Sequence, residues 1–404
     1  MVEMETQSAV LSIVIPAYNE EDGIDAIVER VLAVRPALAE AGIGDLELIV
    51  VDDGSADRTA EMAERLGVRV VRHPANKGYG AALKTGFNAA RGDLLAFLDA
   101  DGTYPPECFP DLCREALAGA DLVVGSRRSG AASEMPLVRR VGNLLWSNLV
   151  TLLGNHRVID PASGMRVFRR EALERLYPLP DGLNFTPVMS TRAVHEHVRL
   201  VEVPIPYKER VGRSKLSVVH DGMRFLRTII TTALSYNPVR LLGGVGVGLV
   251  ALSGLIVAVL VGMRAAGIAE LGPWGVASTF IAVALGIAGV DLFALGATFN
   301  YLVTLFHKRP VRQGLFGRPI FRVPLDRHFW WMGGLAVIAG LAFGVVSLVL
   351  GLEGWPIERL WLYLLAGTML VLVGLQLSIF WVIMRVLEEL SQREARVKAD
   401  MECA

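Results

Sequence analysis

Four long apolar segments in the second half of the chain constrain its fold more than any other feature. They lie at about 242–262, 274–306, 329–352 and 360–384. Each is long enough to cross a hydrocarbon core of about 30 Å, and together they account for much of the 52% hydrophobic content of the 404 residues. We therefore expect an all-α, four-helix transmembrane domain over 241–386 and a short tail over 387–404.

The loop 307–328 predicts how these helices are oriented. It carries one acid, Asp326, against six basic residues: Lys308, Arg309, Arg312, Arg318, Arg322 and Arg327. Loops rich in Lys and Arg stay on the cytoplasmic side, and two crossings separate this loop from the first half of the chain. The N-terminus also lacks the basic start and continuous apolar core of a signal peptide. We therefore expect an integral membrane protein, of the inner or plasma membrane if bacterial, with its N-terminal domain and C-terminal tail in the cytoplasm.

The second apolar segment contains an acid, Asp291. An intramembrane acid is a candidate for function, but it can equally be bonded to a neighbouring helix. The segment is also longer than a straight crossing requires. We expect it to tilt, to project into the cytosol or to break near Gly286 and Gly289.

Residues 1–240 show a different pattern, in which short apolar runs alternate with amphipathic stretches. The runs at 10–15, 46–51, 68–71, 94–98 and 122–124 are typical of buried strands, and the stretches near 22–40, 57–66, 79–90 and 106–118 are typical of helices. This alternation predicts an α/β domain with a largely parallel, Rossmann-like sheet, which we place over 1–212.

Polar residues collect where three of these strands end. Tyr18, Asn19 and Glu20 follow the first strand, Asp52 and Asp53 the second, and Asp99 and Asp101 the fourth. Ligands of such sheets bind beyond the carboxyl ends of the strands. Asp99 and Asp101 stand one residue apart, so both can point into one cavity and offer oxygen ligands to Mg²⁺ or Mn²⁺. Either Asp taken alone could instead cap a helix.

Composition and motifs exclude several other classes of protein. The formal net charge is -1 and no basic stripe is interleaved with aromatic residues, so nucleic acid is not an expected partner. Neither a dinucleotide-binding glycine motif nor a phosphate loop follows the first strand. The three cysteines lack metal-finger spacing and imply no disulfide framework.

Several short strings, in this order, resemble those of family 2 glycosyltransferases. They are Ile15-Pro16-Ala17-Tyr18-Asn19-Glu20, Val51-Asp52-Asp53-Gly54-Ser55, Asn76-Lys77-Gly78-x-Gly80, Asp99-Ala100-Asp101 and Gly125-Ser126-Arg127. Two further strings resemble those of polyprenyl-phosphate glycosyltransferases of the dolichol-phosphate mannose synthase type: Asp160-x-x-Ser163-Gly164-Met165-Arg166 and Arg210-x-Gly212-x-Ser214-Lys215. Over residues 8–240 this resemblance implies a GT-A fold, a nucleotide-diphosphate-sugar donor and a lipid-phosphate acceptor.

The resemblance also implies roles for individual residues. Donor binding would fall to Pro16, Tyr18, Glu20, Val51, Asp53, Asp99, Ala100 and Arg127. The metal would lie on Asp99 and Asp101, with Thr103 standing where many relatives carry Gln. Arg210, Ser214 and Lys215 would bind the acceptor phosphate, and Asp101, Asp160 and Arg210 would form the catalytic set. Within that set Asp160 could orient the acceptor or the sugar, because a phosphate nucleophile needs no strong general base. Of Asp52 and Asp53, one is expected to serve only the turn before Gly54.

Two amphipathic stretches connect this domain to the apolar half. Residues 141–153 and 218–234 are typical of helices that lie at a membrane surface, and the second falls in an interfacial region that we place over 213–240. For the first stretch, ordinary packing against the domain core is an equal alternative.

The favoured function is inverting transfer of a sugar from a donor of the GDP-mannose or UDP-glucose type to a polyprenyl phosphate. A processive polysaccharide synthase is an alternative, although the Gln-x-x-Arg-Trp motif of those enzymes is absent. A non-catalytic membrane scaffold and a protein that moves glycolipid across the bilayer are further alternatives. Gly340-x-x-x-Gly344 could pack helices within one chain or in a homo-oligomer.

Overall fold

The computed structural model describes residues 9–128, 137–153, 157–196, 198–207, 218–267, 272–307, 325–355 and 357–402. The chain divides into two compact units, Met1–Thr232 and Ala233–Ala404.

The first unit is built on a seven-stranded sheet. Its strands are β1 (Ala9–Ala17), β2 (Ile43–Asp52), β3 (Arg69–Arg72), β4 (Leu94–Phe97), β5 (Leu122–Ser126), β6 (Arg166–Arg169) and β7 (Leu200–Pro204). Their order across the sheet is β3-β2-β1-β4-β6-β5-β7. All neighbouring pairs are parallel except those of β6, which runs antiparallel to β4 and β5. The predicted, mostly parallel α/β sheet is therefore confirmed.

Apolar side chains cover the sheet on both faces. Within β1, Leu11, Ile13 and Ile15 belong to one buried core, whereas Val14 belongs to the other. This alternation follows from the two-residue period of a strand. It explains why the strand sequences show continuous apolar runs rather than alternating polar positions.

Nine α-helices among the described residues belong to this unit or lead out of it, and a 3-10 helix, Pro106–Cys108, directly precedes the fifth. They are α1 (Ile24–Ala33), α2 (Arg35–Glu40), α3 (Thr59–Arg65), α4 (Tyr79–Ala89), α5 (Phe109–Leu117), α6 (Leu137–Leu153), α7 (Arg170–Leu176), α8 (Phe185–His195) and α9 (Val218–Leu234). The stretch 22–40, predicted as one helix, is two: α2 begins directly after Val34 with Pro36 in its first turn, a position that suits proline's fixed φ and missing N–H.

The second unit is built mainly of four long helices: α10 (Gly244–Ala265), α11 (Pro273–His307), α12 (Phe329–Leu352) and α13 (Ile357–Glu402). A π-helical segment, Val239–Gly243, directly precedes α10, and a 3-10 helix, Leu325–His328, directly precedes α12. All four are long and apolar enough to cross a membrane, as predicted. The helix α11 runs without the break considered near Gly286 and Gly289. The helix α13 continues to Glu402, so residues 387–402 extend the last spanning helix.

Glycines bring these helices close together. A Cβ added to Gly289 of α11 would lie 2.7 Å from the carbonyl oxygen of Gly246 in α10, and one on Gly340 of α12 would lie 2.6 Å from that of Gly367 in α13. Gly289 therefore serves close helix packing rather than a break. Gly340 likewise packs within one chain, whereas a Cβ added to Gly344 would meet no atom within 4 Å.

Asp291 has a partner in a neighbouring helix. Gln376 of α13 donates its side-chain N–H to Asp291 Oδ2 of α11 at 2.9 Å. This observation favours the alternative of a bonded acid at packing depth. Most of the basic loop 307–328 lies outside the described residues.

Candidate active site

The loops that follow β1 and β2 are tied together by hydrogen bonds. Asn19 Oδ1 accepts from the Ala56 N–H and the Asn19 N–H donates to Ser55 Oγ, each at 2.9 Å. The Glu20 N–H donates to Thr59 Oγ1 at 2.9 Å. Asn19 has φ 50°, a left-handed conformation that asparagine tolerates better than most residues. Two of the three predicted strand ends therefore form one rigid wall.

The residues predicted for nucleotide binding differ in how they are exposed. Tyr18 is 39% exposed and Glu20 is half-buried, so both side chains can reach a ligand. Pro16 is buried, and Val51 is fully buried within the core. Pro16 and Val51 can therefore shape the wall, but the Val51 side chain cannot itself contact a nucleotide in this conformation.

Asp52 and Asp53 do different work. Asp52 Oδ1 accepts from the Ser55 N–H at 3.1 Å, the turn role expected for one of the pair. Buried Asp53 lies 2.6 Å from His73 Nδ1 and accepts from the N–H groups of Lys77 and Gly78 at 2.9 and 2.8 Å. A contact between Asp53 and a base or ribose stays a prediction. Such a contact would use the same carboxylate oxygens that already bind His73, Lys77 and Gly78.

The Asn76-Lys77-Gly78-x-Gly80 string is explained by close backbone packing. A Cβ on Gly80 would lie 2.1 Å from the Pro180 carbonyl oxygen, and Gly78 has φ +105°. The N–H groups of Gly80 and Ala81 donate to the Asp181 carbonyl at 2.7 and 3.1 Å. These contacts fix the start of α4, where Tyr79 lies.

The predicted metal pair is held from several sides. The Tyr79 hydroxyl donates to Asp99 Oδ1 at 2.7 Å, and a Cβ on Gly164 would lie 2.3 Å from Asp99 Oδ2. The N–H and hydroxyl of Thr103 donate to Asp101 Oδ1 at 3.2 and 2.6 Å. The predicted ligand Thr103 is buried and directs its hydroxyl hydrogen to Asp101. It can therefore orient that carboxylate even if it does not itself bind metal.

The carboxylate oxygens of Asp99 and Asp101 suit a hard divalent cation that takes only some of its ligands from the protein. Within the described ranges, no group of three or more His, Cys, Asp or Glu residues could hold a metal ion. Magnesium is commonly bound by one or two carboxylates together with substrate phosphates and water. Asp99 and Asp101 fit that pattern, because a diphosphate would supply the remaining oxygens.

The second feature of the site is an ion pair between Arg127 and Asp160. Arg127 Nε and Nη2 each lie 2.7 Å from an Asp160 oxygen, and the Arg127 N–H lies 3.0 Å from Oδ2. Asn143 Nδ2 of α6 donates to Asp160 Oδ1 at 2.8 Å. Burial alone would raise the pKa of Asp160, but the Arg127 charge and these hydrogen bonds hold that pKa below its ordinary value.

Two aromatic rings flank Arg127. Its guanidinium carbon lies 5.7 Å from the ring centre of Tyr104 and 5.5 Å from that of Tyr207, distances at which a cation is attracted to a π face. The Gly164 N–H donates to the Tyr104 hydroxyl at 2.7 Å. Burial alone would lower the pKa of Arg127, but Asp160 raises it above its ordinary value, so Arg127 stays charged.

The loop 160–164 joins these two features. Arg166 of β6 is fully buried and donates to the carbonyls of Ser163 and Pro161 at 3.0 and 2.7 Å. Ser163 Oγ donates to the Gly125 carbonyl at 2.6 Å. Burial lowers the pKa of Arg166 to about 10, despite the neighbouring Asp160. This one loop therefore contacts both parts of the site: its Asp160 bonds to Arg127, and its Gly164 packs closely on Asp99.

The predicted acceptor residues Arg210, Ser214 and Lys215 lie outside the described residues, so their roles stay predictions. Sequence reasoning did not single out Tyr79, Tyr104, Asn143 or Tyr207. Tyr79 occupies the variable position of a glycine string, and the others lie far along the chain from their partners. Only the folded chain brings these residues to the site.

The helix α6 has one face buried and another exposed. Its buried side chains include Asn143, Ser147, Val150 and Leu153, and its exposed apolar side chains include Val141, Leu144, Leu145 and Leu152. One face of α6 therefore packs on the domain, as the packing alternative expects, and the other leaves an apolar surface, whose place at a membrane stays a prediction.

Comparisons with known families match both halves of the chain. The family described as Glycosyl transferase family 2 matches residues 12–177, and a domain of unknown function matches residues 238–398. A low-salt glycan biosynthesis hexosyltransferase, Agl6 of Haloferax volcanii, is 31% identical over 91% of this chain and 86% of that protein.

Two other relatives match a smaller share of the chain. The dolichyl-phosphate hexose transferase of Haloferax volcanii is 31% identical over 55% of this chain and 94% of its own length. The undecaprenyl-phosphate 4-deoxy-4-formamido-L-arabinose transferase of Photorhabdus laumondii is 34% identical over 62% and 75%. A crystal structure of glucosyl-3-phosphoglycerate synthase from Mycobacterium tuberculosis with Mn²⁺, UDP and glucosyl-3-phosphoglycerate has a TM-score of 0.45 and 26% identity, over 56% of this chain and 80% of that one.

Proposed function

Since the chain belongs to the family 2 glycosyltransferases, we propose that it transfers a hexose from a nucleotide-diphosphate sugar to a polyprenyl phosphate at a membrane. The observation that carries this proposal is that the loop 160–164 contacts both Asp99 and Arg127. A carboxylate that suits a metal ion and a cation that suits a phosphate therefore lie at one site. The same chain has four helices able to span a membrane. A lipid acceptor is further supported by the polyprenyl-phosphate transferases among its relatives.

In this proposal Asp99 and Asp101 hold Mg²⁺ or Mn²⁺. The cation would neutralise charge on the departing nucleoside diphosphate, a Lewis-acid effect worth several kcal/mol. Thr103 and Tyr79 keep the two carboxylates in place. Tyr18, Glu20, Asp53 and the backbone of Pro16, Val51 and Ala100 would line the nucleotide, and Arg127 would bind the diphosphate.

An acceptor phosphate oxygen attacks the anomeric carbon from the face opposite the leaving group. The carbon–oxygen bond to the nucleoside diphosphate breaks, and the new linkage has inverted configuration. A phosphate monoester is largely dianionic at neutral pH, so it needs no strong general base. This fits the enclosed position of Asp160. Arg210, Ser214 and Lys215 are proposed to bind that acceptor phosphate.

We place the first unit and the end of α13 in the cytoplasm. The basic excess of the loop 307–328 supports this orientation. Nucleotide sugars would then reach the site directly, and the exposed apolar face of α6 would meet the membrane surface.

The proposal is tested with membranes that contain the protein, a polyprenyl phosphate and radiolabelled GDP-mannose, UDP-glucose or other common nucleotide sugars. We expect label to move into a chloroform-soluble product that mild acid releases, and we expect EDTA to stop the reaction until Mg²⁺ or Mn²⁺ is restored. No transfer from any of these donors would refute the proposal. A water-soluble polymer would favour the polysaccharide synthase, and labelled glycolipid crossing liposomes without donor turnover would favour translocation.

Tyr79→Phe should weaken metal binding without unfolding the protein. The variant removes the hydrogen bond that fixes Asp99 Oδ1, and loss of such a bond typically costs about 1 kcal/mol. We expect a several-fold higher Mn²⁺ dissociation constant by calorimetry in the presence of UDP or GDP.

The matched control is Tyr177→Phe, because the Tyr177 hydroxyl is buried without a hydrogen-bond partner among the described residues. This variant should bind Mn²⁺ like the wild type. Equal Mn²⁺ affinity in both variants would contradict the positioning of Asp99 by Tyr79.

A further inference from the structure

We propose that Asp160 and Asn143 are positioning residues: they hold Arg127 in the direction in which it meets the donor diphosphate, and neither takes part in bond making. This inference rests on the proposed function and deepens it. It replaces the catalytic role that the sequence suggests for Asp160.

The carboxylate of Asp160 is fully enclosed. It is 0% exposed, and its two oxygens accept four hydrogen bonds, three from Arg127 and one from Asn143. A group that exchanges a proton with a substrate must come within hydrogen-bond reach of it. Within the described part of the chain, the Asp160 carboxylate bonds to Arg127 and Asn143 and to no other residue, so its influence on a ligand passes through Arg127.

The geometry leaves Arg127 one nitrogen for a ligand. Nε and Nη2 are bonded to Asp160, and the rings of Tyr104 and Tyr207 flank the guanidinium group. Nη1 makes no hydrogen bond with any residue in the described part of the chain, and the side chain keeps 13% exposure. Arg127 is therefore a preorganised donor with a fixed direction, which lowers the entropic cost of binding a phosphate.

Asn143 of α6 makes one side-chain hydrogen bond among the described residues, to Asp160. Its Nδ2 donates to Asp160, while its own Oδ1 is buried without a partner among the described residues. A buried amide with an unsatisfied oxygen lowers stability, so packing alone does not explain it. The opposite orientation of the amide would set its oxygen against a carboxylate oxygen, where neither can donate.

The backbone at Asp160 is held from another element. Glu202 of β7 accepts from the N–H groups of Ile159 and Asp160 at 3.0 and 2.8 Å. Asp160 is thus fixed by its side chain to α6 and by its main chain to β7. A carboxylate anchored on both sides can orient a guanidinium fork, which binds carboxylates through two parallel hydrogen bonds.

The test is a double-mutant cycle on the full chain in nanodiscs, with UDP and GDP binding in Mn²⁺ measured by calorimetry. Asn143→Ala should weaken nucleoside-diphosphate binding about threefold, and Asp160→Asn about tenfold, because a charge-assisted bond is replaced by a neutral one. In an Arg127→Gln background, Asp160→Asn should cause no further loss. The pH dependence of kcat should be the same in Asn143→Ala as in the wild type.

Ser147→Ala is the matched control. Ser147 lies one turn further along the same buried face of α6 but bonds the Val158 carbonyl and not Asp160, so its loss should leave nucleotide binding unchanged. Thermal unfolding of each variant identifies any that fails to fold. If Asp160→Asn does not fold, the comparison of nucleotide binding is made with the milder Asn143→Ala instead.

Two results would overturn the inference. The first is independent losses from Asp160→Asn and Arg127→Gln that multiply in the double variant. The second is loss of kcat in Asp160→Asn with unchanged nucleotide binding, which would make Asp160 a participant in chemistry. In both cases wild-type transfer persists. A wild type that neither binds nucleotide nor transfers sugar would instead refute the proposed function.

Discussion

Asp101→Asn is expected to reduce sugar transfer at least about a thousandfold, because several kcal/mol of metal assistance are lost and each 1.36 kcal/mol is tenfold in rate. The substitution keeps the shape of the side chain and an oxygen that can still accept the bonds from Thr103. It removes the charge that a hard cation requires. Mn²⁺ affinity, measured by calorimetry with UDP or GDP present, should fall together with the rate.

The control for this variant is Asp111→Asn. Asp111 is exposed on α5, and among the described residues its ion pair is with Arg114, three residues away, so its replacement should change neither rate nor metal affinity. A wild-type rate in Asp101→Asn would remove the metal role from the proposal.

Gly164→Ala should lower kcat about a hundredfold, the loss expected when a catalytic group is displaced by about 1 Å. The new methyl group would lie 2.3 Å from Asp99 Oδ2 and 2.6 Å from its Cγ, so the carboxylate has to move. That movement breaks its alignment with the Tyr79 hydroxyl. Because the displaced group is the end of a side chain, thermal unfolding should change much less than the rate.

Gly23→Ala tests the same neighbourhood without the clash. A Cβ there would lie 3.7 Å from the Ala100 carbonyl oxygen, an ordinary contact. We expect near wild-type transfer from this variant. If Gly164→Ala also keeps the wild-type rate, the close packing of the loop 160–164 on Asp99 has no catalytic importance.

The predicted strands correspond to β1 to β5, because continuous apolar runs bounded by turn residues are a local signal. The strand β6 gave no such signal. It has four residues, begins and ends with Arg166 and Arg169, and is inserted antiparallel between β4 and β5. Its place depends on contacts with residues far along the chain, which no local pattern encodes.

In the site, too, local features could be predicted from the sequence and long-range contacts could not. Strand-end reasoning predicted Asp99 and Asp101 as neighbours, and family resemblance singled out Arg127 and Asp160 separately. Neither indicated that Arg127 and Asp160 form one ion pair, because which side chains meet is decided by packing across 33 residues of sequence. The contact of the Thr103 hydroxyl with Asp101, in contrast, joins residues only two apart in sequence, while a role for Thr103 as a metal ligand stays a prediction.

The place of β6 in the sheet sets an order of events during synthesis. The strand β4, Tyr79 and Tyr104 are made early, but the other groups that contact Asp99 or Arg127 come later in the chain: Asp160, Gly164 and Tyr207. The first long apolar helix, α10, begins later still, at Gly244. Domains generally fold as units while the rest of the chain is still being made. The catalytic unit can therefore be completed on the ribosome before the chain offers any membrane-spanning segment to the insertion machinery.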